Sequence, residues 1–372
     1  MDPRVWRDTF LSRAVGMAPG TGAYDLEALA RLGRQNVLVV GGGAVGGRTV
    51  EKLVRLGAAT GGGIIEVYDP DVAEVSNLQR QCLTAADAAG RRPKAQALVD
   101  WVHTVVPQAA IVGRAAPFTP ELAASRIPTF DAVIMAADVS QPAVNLAVLQ
   151  TCVASRIPVF GGLDLNRVAL HWHWTPRNRR SPLLRGLFRY ERGLPRHRLA
   201  LEEVTGTELD AVQSGDKVHG LGWLVQMLDP ADLPPSILWA LVRMLEAQLR
   251  GEPGFLPQAA VAADRQAQQT ADTFVDWLAE PEDWLDAASY VVFDPEAHVL
   301  DAADQRAARW RDARLQAEVR ERRRARADAR KHGLDAFLGD PSPAAALTRT
   351  LLGVTPSEWH LGRSPLVDET GR

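Results

Sequence analysis

The sequence is poor in cysteine: it has two, Cys82 and Cys152. That excludes a disulfide scaffold and a four-cysteine zinc site, so no zinc site is expected. It also fits a reducing, cytoplasmic setting. Long apolar runs are missing too, since none reaches the ~18 residues of a membrane span. The opening MDPRVWRDTFLSR carries charges where a signal peptide needs an apolar stretch. These two absences argue for a cytoplasmic protein with no membrane partner. Charge of one sign is not in excess: 42 Lys and Arg face 45 Asp and Glu, a net of −3. Such balance argues against a protein that coats nucleic acid along its whole length, and leaves local patches open. Tandem repeats and glutamine- or serine-rich tracts are absent. What remains is 372 residues, 46% of them hydrophobic, enough for about two domains of ~150 residues and a large core.

The first half alternates strand and helix signals. Apolar runs at Asn36–Val40, Ile64–Tyr68, Ala109–Val112, Ala132–Met135 and Pro158–Gly161 predict strands. Helical patterns at Arg48–Leu56, Arg92–Val106 and Pro142–Ala154 separate most of them. Val168–Trp174 (VALHWHW) alternates and predicts a further, antiparallel strand. The expected fold is α/β and Rossmann-like: a mostly parallel sheet with helices on both faces, followed by a mostly helical C-terminal region. After Trp174 the texture changes. The chain divides into an N-terminal arm (1–29), a core (30–175), a basic, proline-bearing crossover or flap (176–217), a helical completion of the core (218–300) and a basic helical extension (301–372). Helices are expected at 218–228, 235–250, 264–279 and 302–332, and a strand at Tyr290–Phe293.

Gly41, Gly43 and Gly46 form G-x-G-x-x-G between a predicted strand and a predicted helix. The first glycine allows a tight turn, the second lets a ligand approach the backbone, and the third lets helix and strand pack closely. The helix N-terminus then faces a phosphate. Asp69 stands at the end of the second strand, where a carboxylate can bind ribose hydroxyls. Alone, this signature favours an NAD-dependent oxidoreductase. The following residues point elsewhere. Ser76-Asn77-Leu78-Gln79-Arg80-Gln81 is followed by Gly90-Arg91-Arg92-Pro93-Lys94-Ala95 at a helix start, and Asp138 follows the strand AVIM. Arg and Lys neutralise a triphosphate and Asp can hold Mg²⁺, whereas hydride transfer needs no such set. In a parallel α/β sheet all of these fall at the carboxyl ends of strands, around one crevice. The ordinary alternative makes Arg80 and Lys94 solvated charges and Asp138 a helix cap.

This order of motifs (GGGAVG, Asp69, DVAEVSNLQRQ, GRRPKA, DAVIMAAD) resembles the ubiquitin-activating-enzyme-like superfamily of ThiF, MoeB and HesA type, across about 30–174. SNLQRQ followed by the PKA helix is more specific than the glycine motif. The resemblance implies an adenylyltransferase that uses ATP and Mg²⁺. Its substrate would be the C-terminal carboxylate of a small ubiquitin-like or sulfur-carrier protein ending in glycine, or of a peptide. It implies that Gly43 and Ala44 lie against the nucleotide and Asp69 binds its ribose. Asn77, Arg80 and Lys94 would contact phosphates, with Gln81 in support and Ser76, Leu78 and Gln79 in the same loop, and Asp138 would hold the metal. An N-terminal arginine donated across a homodimer has its nearest counterpart in Arg13. A downstream conjugating or sulfur-transfer enzyme is the further partner implied. The sequence departs from the pattern in three places: Val139 replaces the usual Asn after the metal-binding Asp, paired C-x-x-C motifs are absent, and residues 176–372 contain no cysteine for a thioester. A catalytically inactive scaffold of the same fold is the other alternative.

Three features lie outside these motifs. His171 and His173 share one face of the alternating strand, which suits structural or partner-contact roles better than a metal, because no third ligand is near. Residues 305–332 hold eleven Arg and Lys against four Asp and Glu. They read as a solvated helix or as a docking arm for an acidic partner or RNA, though aromatic interleaving is sparse. Cys82 follows Gln81, so a thiolate activated by Arg80 and Lys94 is weighed against a small packing residue, and the latter is favoured.

Overall fold

The computed structural model describes residues 9–12, 14, 24–138, 141–165, 167–176, 258–279 and 290–293. The expectations for Arg13, Val139, the flap 177–217, the helices 218–228 and 235–250, and the basic helix 302–332 lie outside the described residues.

Seven strands form one sheet in the order β3-β2-β1-β4-β5-β6-β7. They are β1 (Val37–Val40), β2 (Ile65–Tyr68), β3 (Ile111–Arg114), β4 (Ala132–Met135), β5 (Val159–Leu165), β6 (Val168–Trp174) and β7 (Tyr290–Phe293). The first five are parallel, with Val37 opposite both Ile65 and Ala132. VLVV and AVIM are buried along their whole length, as strands covered on both faces must be. Strands β6 and β7 are antiparallel, β6 to β5 and β7 to β6. β1 and β2 each start one residue later than expected, at Val37 and Ile65, and two strands depart further from their expected bounds. β3 starts at Ile111 rather than Ala109, because the Ala109 N–H is taken by Val106 O at 3.0 Å in the turn before it. β5 runs on to Leu165 rather than ending at Gly161, because β6 zips it into a hairpin from Val159↔Trp174 to Leu165↔Val168.

The helices are α1 (Leu26–Arg34), α2 (Ala44–Arg55), α3 (Ala85–Ala89), α4 (Lys94–Val105), α5 (Pro120–Arg126), α6 (Pro142–Ser155) and α7 (Ala260–Ala279). α5 and α6 pack together on one face, while α7 lies across β5 and β6 against α1 and α2 on the other. The seat of α7 is aromatic: Phe160 meets Phe274 at 4.9 Å and Trp277 at 6.0 Å between ring centroids. Each fully buried ring of this kind stabilises the fold by about 1.5–3 kcal/mol. Polar contacts tie α7 to the start of the chain. Tyr24 Oη donates to Asp272, and Arg31 Nη1 donates to Leu278 O at 2.8 Å. His171 and His173 point from β6 toward α7, stacked at 5.5 Å, with His171 Nδ1 2.9 Å from Thr270 Oγ1. Burial holds His171 well below its ordinary value and brings His173 down to about 4. Among the described residues no helix is long and apolar enough to cross a membrane.

Candidate functional site

Strand order reverses direction at β1 and β4, and the crevice at such a switch point is where open α/β sheets bind ligands. The glycine turn lines it. Gly41 has φ +97°, and a Cβ there would fall 2.5 Å from Ala136 O, so β1 and β4 part only over a glycine. A Cβ on Gly46 would fall 1.9 Å from Gly41 O, which makes Gly46 the point where α2 presses on the turn. Gly43 differs: the nearest atom to its Cβ position is Gln81 Nε2 at 3.7 Å. The chain is therefore open above Gly43, at the N-terminus of α2, where unpaired N–H groups and the helix dipole favour an anion.

Asp69 is buried and ties the turn to the end of β2. Its Oδ2 accepts from Gly42 N at 2.8 Å and its Oδ1 from Asp71 N at 2.9 Å. Burial pushes its carboxyl upward against these bonds and the charge of Lys94. Lys94 opens α4 and is no solvated charge. Its side chain is 11% exposed, and Nζ pairs with Asp71 Oδ2 at 2.8 Å. Backbone bonds from Lys94 N to Asp71 O and from Ala73 N to Arg92 O, both 2.8 Å, hold the two segments together. Both Lys94 and Asp69 are thereby fixed on one wall.

The loop 75–81 makes the next wall. A 3₁₀ turn at Val75–Asn77 is capped by Asn77 Oδ1, which accepts from Glu74 N at 3.1 Å, so Asn77 is buried as a strut. Arg80 curls back on the turn: Nη1 donates to Ser76 O at 2.8 Å, and Arg48 Nε donates to Arg80 O at 3.2 Å. Ser76 and Gln79 are exposed, Leu78 is half-buried, and Gln81 is buried under the glycine turn. Gln81 Oε1 and Arg80 Nε are buried with no hydrogen-bond partner among the described residues. Asp138 stands exposed beyond β4, and its carbonyl accepts from Gln141 N at 2.9 Å and Asn145 Nδ2 at 3.1 Å, starting α6. Among the described residues no group of three or more His, Cys, Asp or Glu is placed to cage a metal. Mg²⁺ needs no such cage when phosphates complete its shell, so one carboxylate at the mouth fits it.

The residues brought together by the fold are thus Gly41, Gly43, Ala44, Gly46, Asp69, Asn77, Arg80, Gln81, Lys94 and Asp138. One member was not expected. Asp164 lies on β5, 3% exposed, with Oδ1 accepting from Gln258 Nε2 at 3.0 Å and Oδ2 buried without a partner among the described residues. Burial pushes its carboxyl up to about 7, against the pull of Arg80 and Gln258. The signal was the acid in GGLDL, hidden by ending that strand at Gly161. Cys82 is not beside Arg80 and Lys94 in the sense that would activate it. Its Sγ turns to α2, 3.6 Å from Gly47 O and 3.8 Å from Glu51 Oε2, and burial pushes its thiol up to about 12. Cys152 is buried in α6, and its thiol too is pushed up by burial.

Sheet order and glycine turn together define a Rossmann-like domain with its crevice at the β1/β4 switch. Residues 19–200 match the ThiF family. Over 110 residues the chain is 29% identical to the ATP-dependent ubiquitin transferase-like protein Cap2 of Enterobacter hormaechei subsp. hoffmannii (strain UCI 50), covering 29% of this chain and 17% of that protein. Over 79 residues it is 37% identical to the protein of the same name from Escherichia coli (strain TW11681), covering 21% of this chain and 13% of that one. The match therefore spans less than a fifth of the length of these curated relatives. Among solved structures, E. coli tRNA N6-threonylcarbamoyladenosine dehydratase, TcdA, is similar at a TM-score of 0.46 and 15% identity, over 75% of this chain and 97% of that one.

Proposed function

We propose that this chain is an adenylyltransferase that activates a carboxylate: R–COO⁻ + ATP gives R–CO–AMP + pyrophosphate. The observation that carries the reading is the pair of cationic walls, Arg80 on the 75–81 loop and buried Lys94 on α4, around a glycine turn left open at Gly43. The ThiF match over residues 19–200 supports the same chemistry. The carboxylate attacks the α-phosphorus in line. It needs no general base, because it is already ionised at neutral pH. Catalysis is positioning plus charge neutralisation. Gly43 and Ala44 would lie under the phosphates, Asp69 would take the ribose, Arg80 and Lys94 the phosphate charge, and Asp138 would hold Mg²⁺, which adds further positive charge when bound.

The substrate class we favour is the C-terminal carboxylate of a small ubiquitin-like or sulfur-carrier protein, or of a peptide. The name of the Cap2 relatives, ATP-dependent ubiquitin transferase-like protein, supports it. Neither cysteine of this chain suits a thioester, since both are buried and both thiols are pushed up. The acyl group would pass to an outside sulfur donor, a partner enzyme or a hydroxyl of the segment after the core, such as Ser181 or Ser214. The test is binding of Mg·ATP against NAD, followed by ATP–pyrophosphate exchange with candidate carriers. Magnesium-dependent ATP binding, tighter than NAD, is expected. Equal affinity for NAD with no magnesium dependence overturns the reading.

A further inference from the structure

A polar bridge runs from the 75–81 loop through Gln258 to Asp164. Gln79, on the same loop as Arg80, donates from Nε2 to Gln258 O at 3.3 Å. Gln258, two residues before α7, donates from its own Nε2 to Asp164 Oδ1 at 3.0 Å. Asp164 sits at the carboxyl end of β5, beside the end of β4. From the paired Met135↔Gly161, Asp138 and Asp164 each lie three residues further along. Along β5 it shares the face of Phe160 and Gly162, the face that α7 covers, and its carboxyl lies beyond the aromatic seat, where Gln258 meets it just ahead of that helix.

Two complementary atoms remain open there. Arg80 Nε–H is a buried donor without an acceptor, and Asp164 Oδ2 is a buried acceptor without a donor, both among the described residues. The charge of Arg80 is felt by the Asp164 carboxyl. Buried polar groups left unmatched are costly, so such a pair is rarely retained without use. An arginine presents its Nε–H and one Nη–H as a fork. Holding the Nε edge by a carboxylate leaves the other Nη free for phosphate oxygens.

We infer that Asp164 is a positioning residue for Arg80: it takes the Nε–H edge of the guanidinium when Arg80 leaves Ser76 O, and so aims the remaining donors at the triphosphate. This rests on the ATP reading given above. Gln258 fixes Asp164 from the other side and couples the start of α7 to the same loop.

The test is a double-variant cycle on the full chain, read as the dissociation constant for Mg·ATP. Asp164→Asn keeps an acceptor for Gln258 but can present a donor to Arg80. It should weaken Mg·ATP roughly tenfold, the scale of one hydrogen bond to a charged group. Arg80→Ala should weaken it at least as much, and Asp164→Asn added to Arg80→Ala should cost nothing further. Gln258→Ala should show a smaller loss that also vanishes in the Arg80→Ala background, and it leaves the carboxyl in place if Asp164→Asn does not fold. Additive losses, or wild-type affinity in Asp164→Asn, overturn the inference alone. A wild-type protein that binds no Mg·ATP overturns the ATP reading and this inference with it.

Discussion

Gly43 and Gly46 stand on one turn, yet a methyl group added to each meets different surroundings. At Gly46 the new Cβ would lie 1.9 Å from Gly41 O, far inside the 3.0 Å that Cβ contacts respect. The obstacle is backbone on a turn locked by Gly41, so α2 must retreat from β1 by about 1 Å. Overpacking of that kind costs about 3 kcal/mol or more, and the helix-propensity gain of Ala over Gly returns only ~1 kcal/mol. With about 2–4 °C lost per kcal/mol in a domain of this size, Gly46→Ala should lower Tm by roughly 4–8 °C. Gly43→Ala faces only Gln81 Nε2 at 3.7 Å and a φ of −74° that alanine accepts. Its cost is that of Ala at an N-cap, about 1 kcal/mol, and a Tm change of a few degrees. The methyl instead fills the approach to the α2 N-terminus, so Mg·ATP should bind at least tenfold more weakly. Thermal denaturation and nucleotide titration of the two variants check this. Equal destabilisation by both, or wild-type ATP affinity in Gly43→Ala, would refute the division of labour.

Three further outcomes follow from the same geometry. Lys94→Met and Asp138→Ala should each lower pyrophosphate exchange by roughly a hundredfold or more. Both should keep their Tm within a few degrees, because Asp71 is 65% exposed and loses no burial when unpaired; wild-type exchange in either would remove it from the site. Native protein should show no fast thiol reaction at pH 8, since the Cys82 thiol is pushed up to about 12 and Cys152 is buried, whereas two thiols should react after denaturation; a rapid native reaction contradicts the burial argument. His173, brought down to about 4, adds stability that is full above its unfolded value near 6.5 and is lost as pH falls toward 4. Asp164, raised to about 7, acts the other way: its contribution is largest below about 4 and is lost as pH rises to 7. Asp164→Asn removes that compensation, so its urea midpoint should fall more steeply than wild type between pH 7 and 4; parallel curves would discount the linkage.

The legible part of the fold was the part with short-range signals. VLVV, IEVY and AVIM are continuous apolar runs because parallel strands buried on both faces demand them. The glycine turn announced itself, since each glycine answers a local requirement of space. The pairing of Lys94 with Asp71 was not legible, because it depends on Val72 bridging Pro93 across a long loop. Asp164 was missed for a similar reason. The apolar run gives out at Gly161, and only the β6 hairpin extends the strand to Leu165. Cys82 shows the converse: adjacency in sequence to Arg80 said nothing about direction, and the side chain turned toward Glu51.

The seat of α7 has a consequence for how the protein comes into being. Phe160, His171 and His173 are covered by Phe274, Thr270 and Trp277, which the ribosome adds about a hundred residues later. At 5–20 residues per second, the β5–β6 face of the nascent sheet waits about 5–20 s for α7. During that interval the emerging domain lacks the aromatic packing of Phe160 on Phe274 and Trp277, and gains it only with the late helix.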